Sequence, residues 1–315
     1  MPPVLLGKYD FLKHILSPKR RRFAFGLVLL LAFMVLWFSG LPGLAYFHAV
    51  VAFGADAARP ELSLGDYEAK IEARAIDGLT NDLSGLTYSA KTGTLFAVIN
   101  RPPQVVELST DGQLLRRIAL KGVKDPEGLT HVEADRFIVS NERDQSLHWV
   151  TIGPDTTLVT ARGGDHLRLN IDAMRNMGFE GVSWDSRRKR LYITQEMFPA
   201  RVLLVQGLDS TTRGFNLDVS EWKPRGFAGA FMLDLSSASL HETTGNLILL
   251  SHLSRLLIEY APDGRVLSYL PLWRGMSGLS ASIAQAEGVA IGSDGDVFIV
   301  AEPNLFYRFG KTAAR

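Results

Sequence analysis

The chain has 315 residues, a formal charge of +1 at pH 7 and no cysteine. The absence of cysteine excludes disulfides, thiolate metal sites and a cysteine nucleophile. Six of the Lys and Arg residues lie within the first 22 positions, so the remaining sequence is slightly acidic and lacks the basic clusters of a nucleic-acid-binding surface. We therefore expect no nucleic-acid partner.

The N-terminal part predicts a membrane anchor. Residues 1–22 form a basic segment that ends in Lys-Arg-Arg-Arg, and seventeen uncharged, mainly apolar residues follow from Phe23 to Ser39. At about 1.5 Å per residue, this stretch is just long enough to cross the hydrocarbon core of a bilayer. The apolar sequence continues to Ala55, and we assign 23–55 to the anchor. Because basic flanks stay in the cytoplasm, the C-terminal bulk is predicted to be exported.

A cleaved signal peptide is the alternative, with Ala55-Asp56-Ala57 as the small-x-small cleavage site. The apolar stretch is longer than an ordinary signal core, which favours an uncleaved anchor. A linker at 56–64, in which Pro60 discourages regular structure, then leads to a domain at 65–315.

This domain is built from a repeated strand–turn–strand unit. The first copy covers residues 82–100, and further copies cover 126–142, 179–196, 235–252 and 286–302. After the first and fourth copies come two more strands joined by an Asp-Gly turn, which gives four antiparallel strands per repeat. With register positions 43 to 57 residues apart, these units predict an all-β fold, a β-propeller of five blades.

The last repeat has three strands and ends at 305–311. The alternating segment Tyr67–Ile76 is predicted to supply the missing outer strand, because closing the ring removes the open sheet edges. A sixth, degenerate blade within 205–232 is the alternative, since five blades make an unusually small ring.

Polar residues recur at one end of each predicted blade. An acid precedes the first strand in three repeats, at Glu127, Glu180 and Glu287. The second strand runs antiparallel and returns to the same end, where it finishes on Asn100, Glu142, Glu196, His252 or Glu302. Carboxylate and amide oxygens suit Ca²⁺ or Mg²⁺ better than a soft metal. We predict a Ca²⁺ site at this mouth of the propeller, with six candidate ligands: Glu127, Glu180, Glu287, Glu302, Glu196 and Asn100.

A purely structural interpretation stands beside this prediction. Acid-Gly pairs before a strand can satisfy the amides of a turn, and blade repeats keep such residues for packing. Ser84 and Ser237 replace the Glu in two repeats, so any ring of acids is asymmetric.

The sequence resembles the SdiA-regulated (YjiK/CarP) family over residues 65–311. The resemblance rests on six phrases: DLSGLTY (82–88), LFAVINRPPQVVELSTDGQLLRRIAL (95–120), PEGLTH (126–131), GFEGVSWD (178–185), QAEGVAI (285–291) and AEPNLFYRF (301–309). It implies a propeller anchored in the bacterial inner membrane by a single span, with its domain in the periplasm and a link to calcium binding or calcium-dependent regulation. Family members are sometimes labelled phytase-like.

Two functions remain open at this point. The first is a calcium-responsive binding or regulatory module that takes a small-molecule or protein ligand at the propeller mouth. The second is a metal-dependent hydrolase of phosphomonoesters, or of lactones and esters. In the hydrolase, Glu127, Glu180, Asn100 and Glu287 hold the metal and Glu196 or Glu302 is the base.

Overall fold

The computed structural model describes residues 18–54, 62–80, 82–161, 163–169, 171, 178–197, 200–208 and 217–312. Its strands form five sheets, antiparallel except for one added outer strand, and their inner strands contact one another in a closed ring. The predicted five-bladed β-propeller is confirmed. Residues 1–17 of the predicted basic segment 1–22, the last anchor residue Ala55 and residues 56–61 of the predicted linker 56–64 lie outside the described residues.

Within the described residues before β1, two helices precede the propeller. Helix α1 spans Pro18–Phe38, and helix α2 spans Leu41–Phe53. The 20 residues Lys19–Phe38 have the length and composition of a membrane span or a signal sequence. None of the residues in their most apolar stretch is buried against the rest of the protein. Gly40, in the left-handed conformation (φ 79°), separates the two helices.

Helix α2 packs against the propeller. Phe47 is fully buried in a core cluster that it shares with Trp222 and Tyr260, and the ring of Tyr46 stacks on Phe231 with centroids 4.4 Å apart. His48 Nδ1 lies 3.0 Å from the hydroxyl of Tyr269. The segment 23–55, treated above as one anchor, thus comprises two helices, and the second has a protein-facing side.

The first blade contains β2 (Leu83–Ser89), β3 (Thr94–Ile99), β4 (Gln104–Leu108) and β5 (Leu114–Lys121), to which β9 (Leu158–Thr160) adds a parallel outer strand that the sequence did not predict. The second contains β6 (Pro126–Glu133), β7 (Arg136–Asn141), β8 (Ser146–Thr151) and β10 (His166–Arg168).

The third blade contains β11 (Phe179–Asp185), β12 (Arg190–Gln195), β13 (Arg201–Gln206) and β14 (Asp218–Trp222). The fourth contains β15 (Ser237–His241), β16 (Asn246–Ser251), β17 (Leu256–Tyr260) and β18 (Val266–Pro271). The described part of 205–232 therefore completes blade 3 and adds a short 3₁₀ turn at Ala228–Phe231, and it holds no sixth blade.

The fifth blade closes the ring. Its strands β19 (Ala286–Ile291), β20 (Val297–Ala301) and β21 (Leu305–Lys311) are completed by β1 (Tyr67–Ala75). Strand β1 pairs antiparallel with β21, from Tyr67 opposite Lys311 to Ala75 opposite Leu305. The predicted closure by an N-terminal strand is confirmed.

Side-chain hydroxyls join neighbouring inner strands. The hydroxyls of Thr87, Thr130, Ser183 and Ser237 each accept a hydrogen bond from a backbone N–H of the next blade, at 2.8 to 3.3 Å. These bonds supply acceptors for amides that face a neighbouring blade and therefore have no ladder partner there. This bonding is a physical reason for the Thr or Ser in the first strands of blades 1 to 4.

Candidate metal centre at the channel mouth

The inner strands begin with a β-bulge in four blades. The pairing register shifts beside Glu127 in β6, Glu180 in β11 and Glu287 in β19, and a similar shift lies beside Gly85 in β2. A bulge inserts one residue and re-aims its side chain. Strand β15 of blade 4 pairs with β16 without a bulge.

The glycine that follows each bulge residue lies where two inner strands approach most closely. A Cβ atom on Gly181 would be 2.7 Å from the backbone N of Ala238, and one on Gly288 would be 2.8 Å from the Cβ of Leu86. Real Cβ contacts are not this short, so close packing of the blades requires glycine here. The structural interpretation of the Glu-Gly pairs therefore holds for the glycines, whereas packing does not explain the acids.

The second strands return to the same end of the ring. The residue directly after each one is polar, and these residues are Asn100 after β3, Glu142 after β7, Glu196 after β12, His252 after β16 and Glu302 after β20. We call this end the carboxylate mouth, formed by Asp125, Glu127, Glu142, Glu180, Glu196, Asp234, His252 and Glu287. Within it, two groups of three side chains place their ligand atoms within 4.8 Å of one another.

The first group consists of Asp125, Glu127 and Glu142. Asn100 Nδ2 donates a hydrogen bond of 2.5 Å to Glu127 Oε1, which orients this carboxylate. The Oδ1 atom of Asn100 is buried and has no hydrogen-bond partner among the residues that the structure describes. Arg143 reaches Asp125 at 3.6 Å, but its side chain is 62% exposed, so this ion pair neutralises the group weakly.

The second group consists of Glu196, Asp234 and His252. Asp234 is fully buried, and its carboxylate accepts hydrogen bonds from the hydroxyl of Ser251 and the backbone N–H groups of His252 and Leu253. His252 Nδ1 lies 2.8 Å from Asp234 Oδ2, but this nitrogen has no aligned hydrogen bond, so we treat the approach as an ion-pair contact. Glu287 Oε1 lies 4.0 Å from the same nitrogen.

The carboxyl of Glu180 interacts electrostatically with members of both groups. Burial, followed by the charges of Glu127, Glu142, Glu196 and Glu287, raises the pKa of its carboxyl well above the usual range. Glu180 is only partly exposed, and protein atoms surround its carboxyl. Burial is therefore the largest cause of its raised pKa.

The other carboxyls show the same crowding. Burial is the largest cause in each case, and it raises the pKa of Glu127 to about 7 and of Glu287 to about 7. The pKa values of Glu142 and Glu196 are also raised by burial and by neighbouring acids. Like charges held this close, with little cationic compensation, favour the protonated forms.

His252 has a different balance. Burial lowers the pKa of its imidazole, but the contact with Asp234 and the charges of Glu287 and Glu196 outweigh it, so the pKa lies above its usual value. The imidazole is therefore the internal counter-charge of the second group.

The structure distributes the six predicted ligands unevenly. Glu127 belongs to the first group and Glu196 to the second, while Glu180 and Glu287 interact with group members through their charges. Asn100 acts through its bond to Glu127, and Glu302 accepts a hydrogen bond of 3.2 Å from Gln285 and belongs to neither group. All six lie at one end of the ring, and their roles as ligands stay predictions.

Sequence reasoning missed Asp125 and Asp234 as candidate ligands. Both occupy the turn before an inner strand, and Asp125 stands two positions before Glu127. In blade 4, Ser237 occupies the sequence position that corresponds to Glu127, and this blade lacks the bulge residue. The repeat pattern therefore does not point to Asp234. An acid placed just before the repeated phrase was the available signal.

Each group could hold a divalent cation. The first offers oxygen ligands alone, as Ca²⁺ and Mg²⁺ prefer. The second adds an imidazole nitrogen, which also suits transition metals. The hydrogen bonds to Asp234 and Glu127 are the kind of outer contacts that orient metal ligands.

The other end of the ring holds a polar cavity of about 520 Å³. All five blades line it, through residues that include Tyr88, His131, Arg187, His241 and Ser293. Burial lowers the pKa of His241. Carboxylates thus crowd one end of the ring, whereas the other is lined by hydroxyls, imidazoles, a guanidinium and one carboxylate, that of Glu242.

Solved structures share this architecture. The glutaminyl cyclase of Myxococcus xanthus is 15% identical, with a TM-score of 0.53, and the match covers 79% of this chain and 97% of the cyclase. A luciferin-regenerating enzyme is 13% identical, with a TM-score of 0.50, over 78% of this chain and 98% of the enzyme. At such identities the likeness shows the fold alone.

A family model extends the likeness to the sequence. The model described as SdiA-regulated matches residues 60–310, which include all of the propeller strands except the last residue of β21. The chain belongs to the SdiA-regulated family.

Proposed function

We propose that this protein is a membrane-attached propeller that binds Ca²⁺ at the carboxylate mouth and acts as a calcium-responsive binding or regulatory module. The observation that carries the proposal is the convergence of partly buried carboxyls at one end of the ring. The pKa values of Glu127 and Glu287 are raised to about 7, and that of Glu180 is raised well above its usual range. A bound divalent cation would supply the missing positive charge and stabilise the folded state. The regulated ligand is a small molecule or a protein that meets this mouth.

Ca²⁺ is the preferred cation because of the ligand chemistry. Carboxylates dominate the mouth, Asn100 adds a buried amide oxygen without a partner, and the sequence has no thiolate. Ca²⁺ takes six to eight oxygen ligands in flexible geometry, which fits a wide and asymmetric set of acids.

The membrane attachment rests on helix α1. Its apolar side chains face outward, for example Phe23 (75% exposed) and Val35 (72% exposed), and four basic residues, Lys19 to Arg22, lie at its N-terminal end. Basic residues remain on the cytoplasmic side, so the propeller would occupy the periplasm of a bacterial cell.

Thermal unfolding of the full chain in detergent, in EDTA and in millimolar Ca²⁺, tests the cation site. At a hundredfold excess over Kd, Ca²⁺ should stabilise the fold by about 2.7 kcal/mol. The triple variant Glu127→Gln, Glu180→Gln, Glu287→Gln should lose this shift. The control Glu242→Gln, at an exposed carboxylate that accepts a hydrogen bond from Ser186 at the other end, should keep it. A wild-type Tm that is the same in EDTA and in millimolar Ca²⁺ would rule the proposal out.

A metal-dependent hydrolase is the second candidate, and Glu180 favours it. A carboxyl with a strongly raised pKa between two potential metal groups is suited to general acid–base catalysis. The crowded acids disfavour a substrate with many phosphates, because carboxylates repel phosphate oxygens and Arg143 is already paired with Asp125. Turnover of p-nitrophenyl phosphate or p-nitrophenyl butyrate that requires a divalent metal and disappears in Glu180→Gln would establish this function.

A further inference from the structure

A small cavity lies between blade 3 and the segment Lys223–Met232. Its volume is about 280 Å³, and its floor consists of four buried apolar side chains, Val202, Met232, Leu235 and Leu249. These residues belong to the same core cluster as Phe47 of helix α2. The cavity is thus an apolar recess in the part of the propeller that the helices contact.

The rim of this cavity is amphipathic. Phe227 lines it and is 76% exposed, so an apolar side chain is available to a ligand at the opening. Lys223 also lines it, with a side chain that is 70% exposed and forms an ion pair of 3.2 Å with Glu221. Arg201 and Lys223 line the cavity together with one acid, Glu221, so its lining carries a net positive charge. An apolar floor beneath such a rim suits a ligand with an apolar chain and an anionic head.

The wall of the cavity is also the surface on which the two helices rest. Phe231, at the end of the segment that forms this wall, stacks on Tyr46 of α2 and lies 5.5 Å from Trp37 in the last turn of α1. Aromatic residues concentrate where a protein crosses from lipid into water. The cavity therefore lies beside the point where a membrane-spanning α1 would leave the bilayer.

We propose that this cavity binds the acyl chain of an anionic membrane lipid, with Lys223 facing the headgroup. The proposal rests on the proposed membrane attachment and is independent of cation binding at the carboxylate mouth. The cavity is smaller than a typical drug-sized pocket, and a single flexible chain fits such a volume. The bilayer that α1 spans provides this ligand at high local concentration.

Trp222 lines the cavity and serves as a reporter. The full chain is reconstituted in nanodiscs that contain phosphatidylglycerol with or without bromine on the acyl chain, which quenches tryptophan fluorescence on contact. The signal of Trp222 is the difference between wild type and Trp222→Phe. We expect the brominated chain to quench it. Trp222 fluorescence that does not respond to brominated lipid would overturn the proposal, whatever the variants do.

A filled cavity provides the second measurement. Ala230 lines the cavity and is exposed, so Ala230→Phe should occupy it without disturbing the core. We expect this variant to lose most of the Trp222 quenching, while the control Ala281→Phe, at another exposed alanine, retains it. Equal quenching in both variants would mean that the lipid lies outside the cavity and would refute the proposal.

Two further arms separate the sources of the effect. Sodium dodecanoate, titrated in detergent, tests a free fatty acid, and dodecanoate binding without quenching by brominated lipid would contradict a lipid source. The Ca²⁺-dependent Tm shift should persist in Ala230→Phe, because the cavity and the cation groups use different side chains. Loss of the lipid signal with an intact Ca²⁺ response therefore concerns this inference alone.

Discussion

The substitution Glu287→Gln should stabilise the protein without Ca²⁺ and destabilise it with Ca²⁺. Glu287 is 18% exposed, and burial together with nearby acids raises its pKa to about 7 from the ordinary value of 4.5. The folded state thus holds the proton at pH values where the unfolded state has released it. The stability that this group contributes is fully present below pH 4.5 and is lost as the pH rises through about 7.

The magnitude follows from the two pKa values. At pH 8, ionising Glu287 in the folded protein costs about 3 kcal/mol relative to the unfolded chain. At pH 5 the cost falls to about 1 kcal/mol, since most folded molecules keep the proton. Gln has the same shape and no charge, so in EDTA the variant should be more stable than wild type by about 3 kcal/mol at pH 8 and by about 1 kcal/mol at pH 5. A change of about 3 kcal/mol corresponds to roughly 5–10 °C in Tm for a domain of this size, and partial solvation makes this an upper bound.

Differential scanning calorimetry of the full chain in detergent measures the effect. In EDTA, the Tm of Glu287→Gln should exceed that of wild type at pH 8. In millimolar Ca²⁺ the order should reverse, because the cation stabilises the carboxylate but not the amide. Destabilisation of the variant in EDTA at pH 8 would show that Glu287 makes favourable contacts instead of crowding its neighbours. An order that Ca²⁺ does not change would remove Glu287 from the cation site.

Three further predictions concern packing, titration and the links between blades. Gly181→Ala should destabilise the fold by about 1–3 kcal/mol, since its Cβ would be 2.7 Å from the next inner strand, and urea melts should show no change for Gly65→Ala, which has open space. NMR should find the His252 imidazole titrating above its ordinary pKa in EDTA and at a lower pKa in Ca²⁺, while His241 at the opposite end stays unchanged; a His252 pKa insensitive to Ca²⁺ would place the cation elsewhere. Ser183→Ala should cost about 1–3 kcal/mol in urea unfolding because a buried amide of the next blade loses its acceptor, and an unchanged midpoint would mean that water replaces the hydroxyl.

The ring and its polar end were predictable because antiparallel pairing leaves little freedom. Because Glu127 lies at the start of the first strand and Glu142 follows the antiparallel second strand, the two must lie at the same end of the blade. The same reasoning applies to Glu180 with Glu196 and to Glu287 with the next second strand. The repeated phrases therefore predicted both the number of blades and the location of the acids.

The grouping of the acids was not predictable in the same way. Whether Asp234 points into the mouth depends on three hydrogen bonds from the turn Ser251–Leu253, and no local pattern announces them. The missing bulge in blade 4 shifts the register by a residue, which only the pairing with β16 shows. Side-chain convergence is a tertiary property.

Helix α2 shows a second limit. Its composition is as apolar as that of a membrane span, and hydropathy cannot tell a lipid neighbour from a protein neighbour. Gly43, which lies close to the carbonyl of Phe231, and the buried ring of Phe47 show that one side of the helix faces the propeller. The apolar stretch therefore predicted a helix but not its partner.

The pairing of β1 with β21 has a consequence for how the protein is made. Strand β1 is synthesised before every other described strand of the propeller. Its partner, β21, is the last strand of the described chain. Blades 1 to 4 can each form from neighbouring sequence, whereas this contact spans almost the entire domain and closes late and slowly. During that interval the nascent domain is an open arc with two unpaired edges, a state prone to pairing with other chains. We expect that the synthesis of β21 determines when these edges become paired and the domain is protected from aggregation.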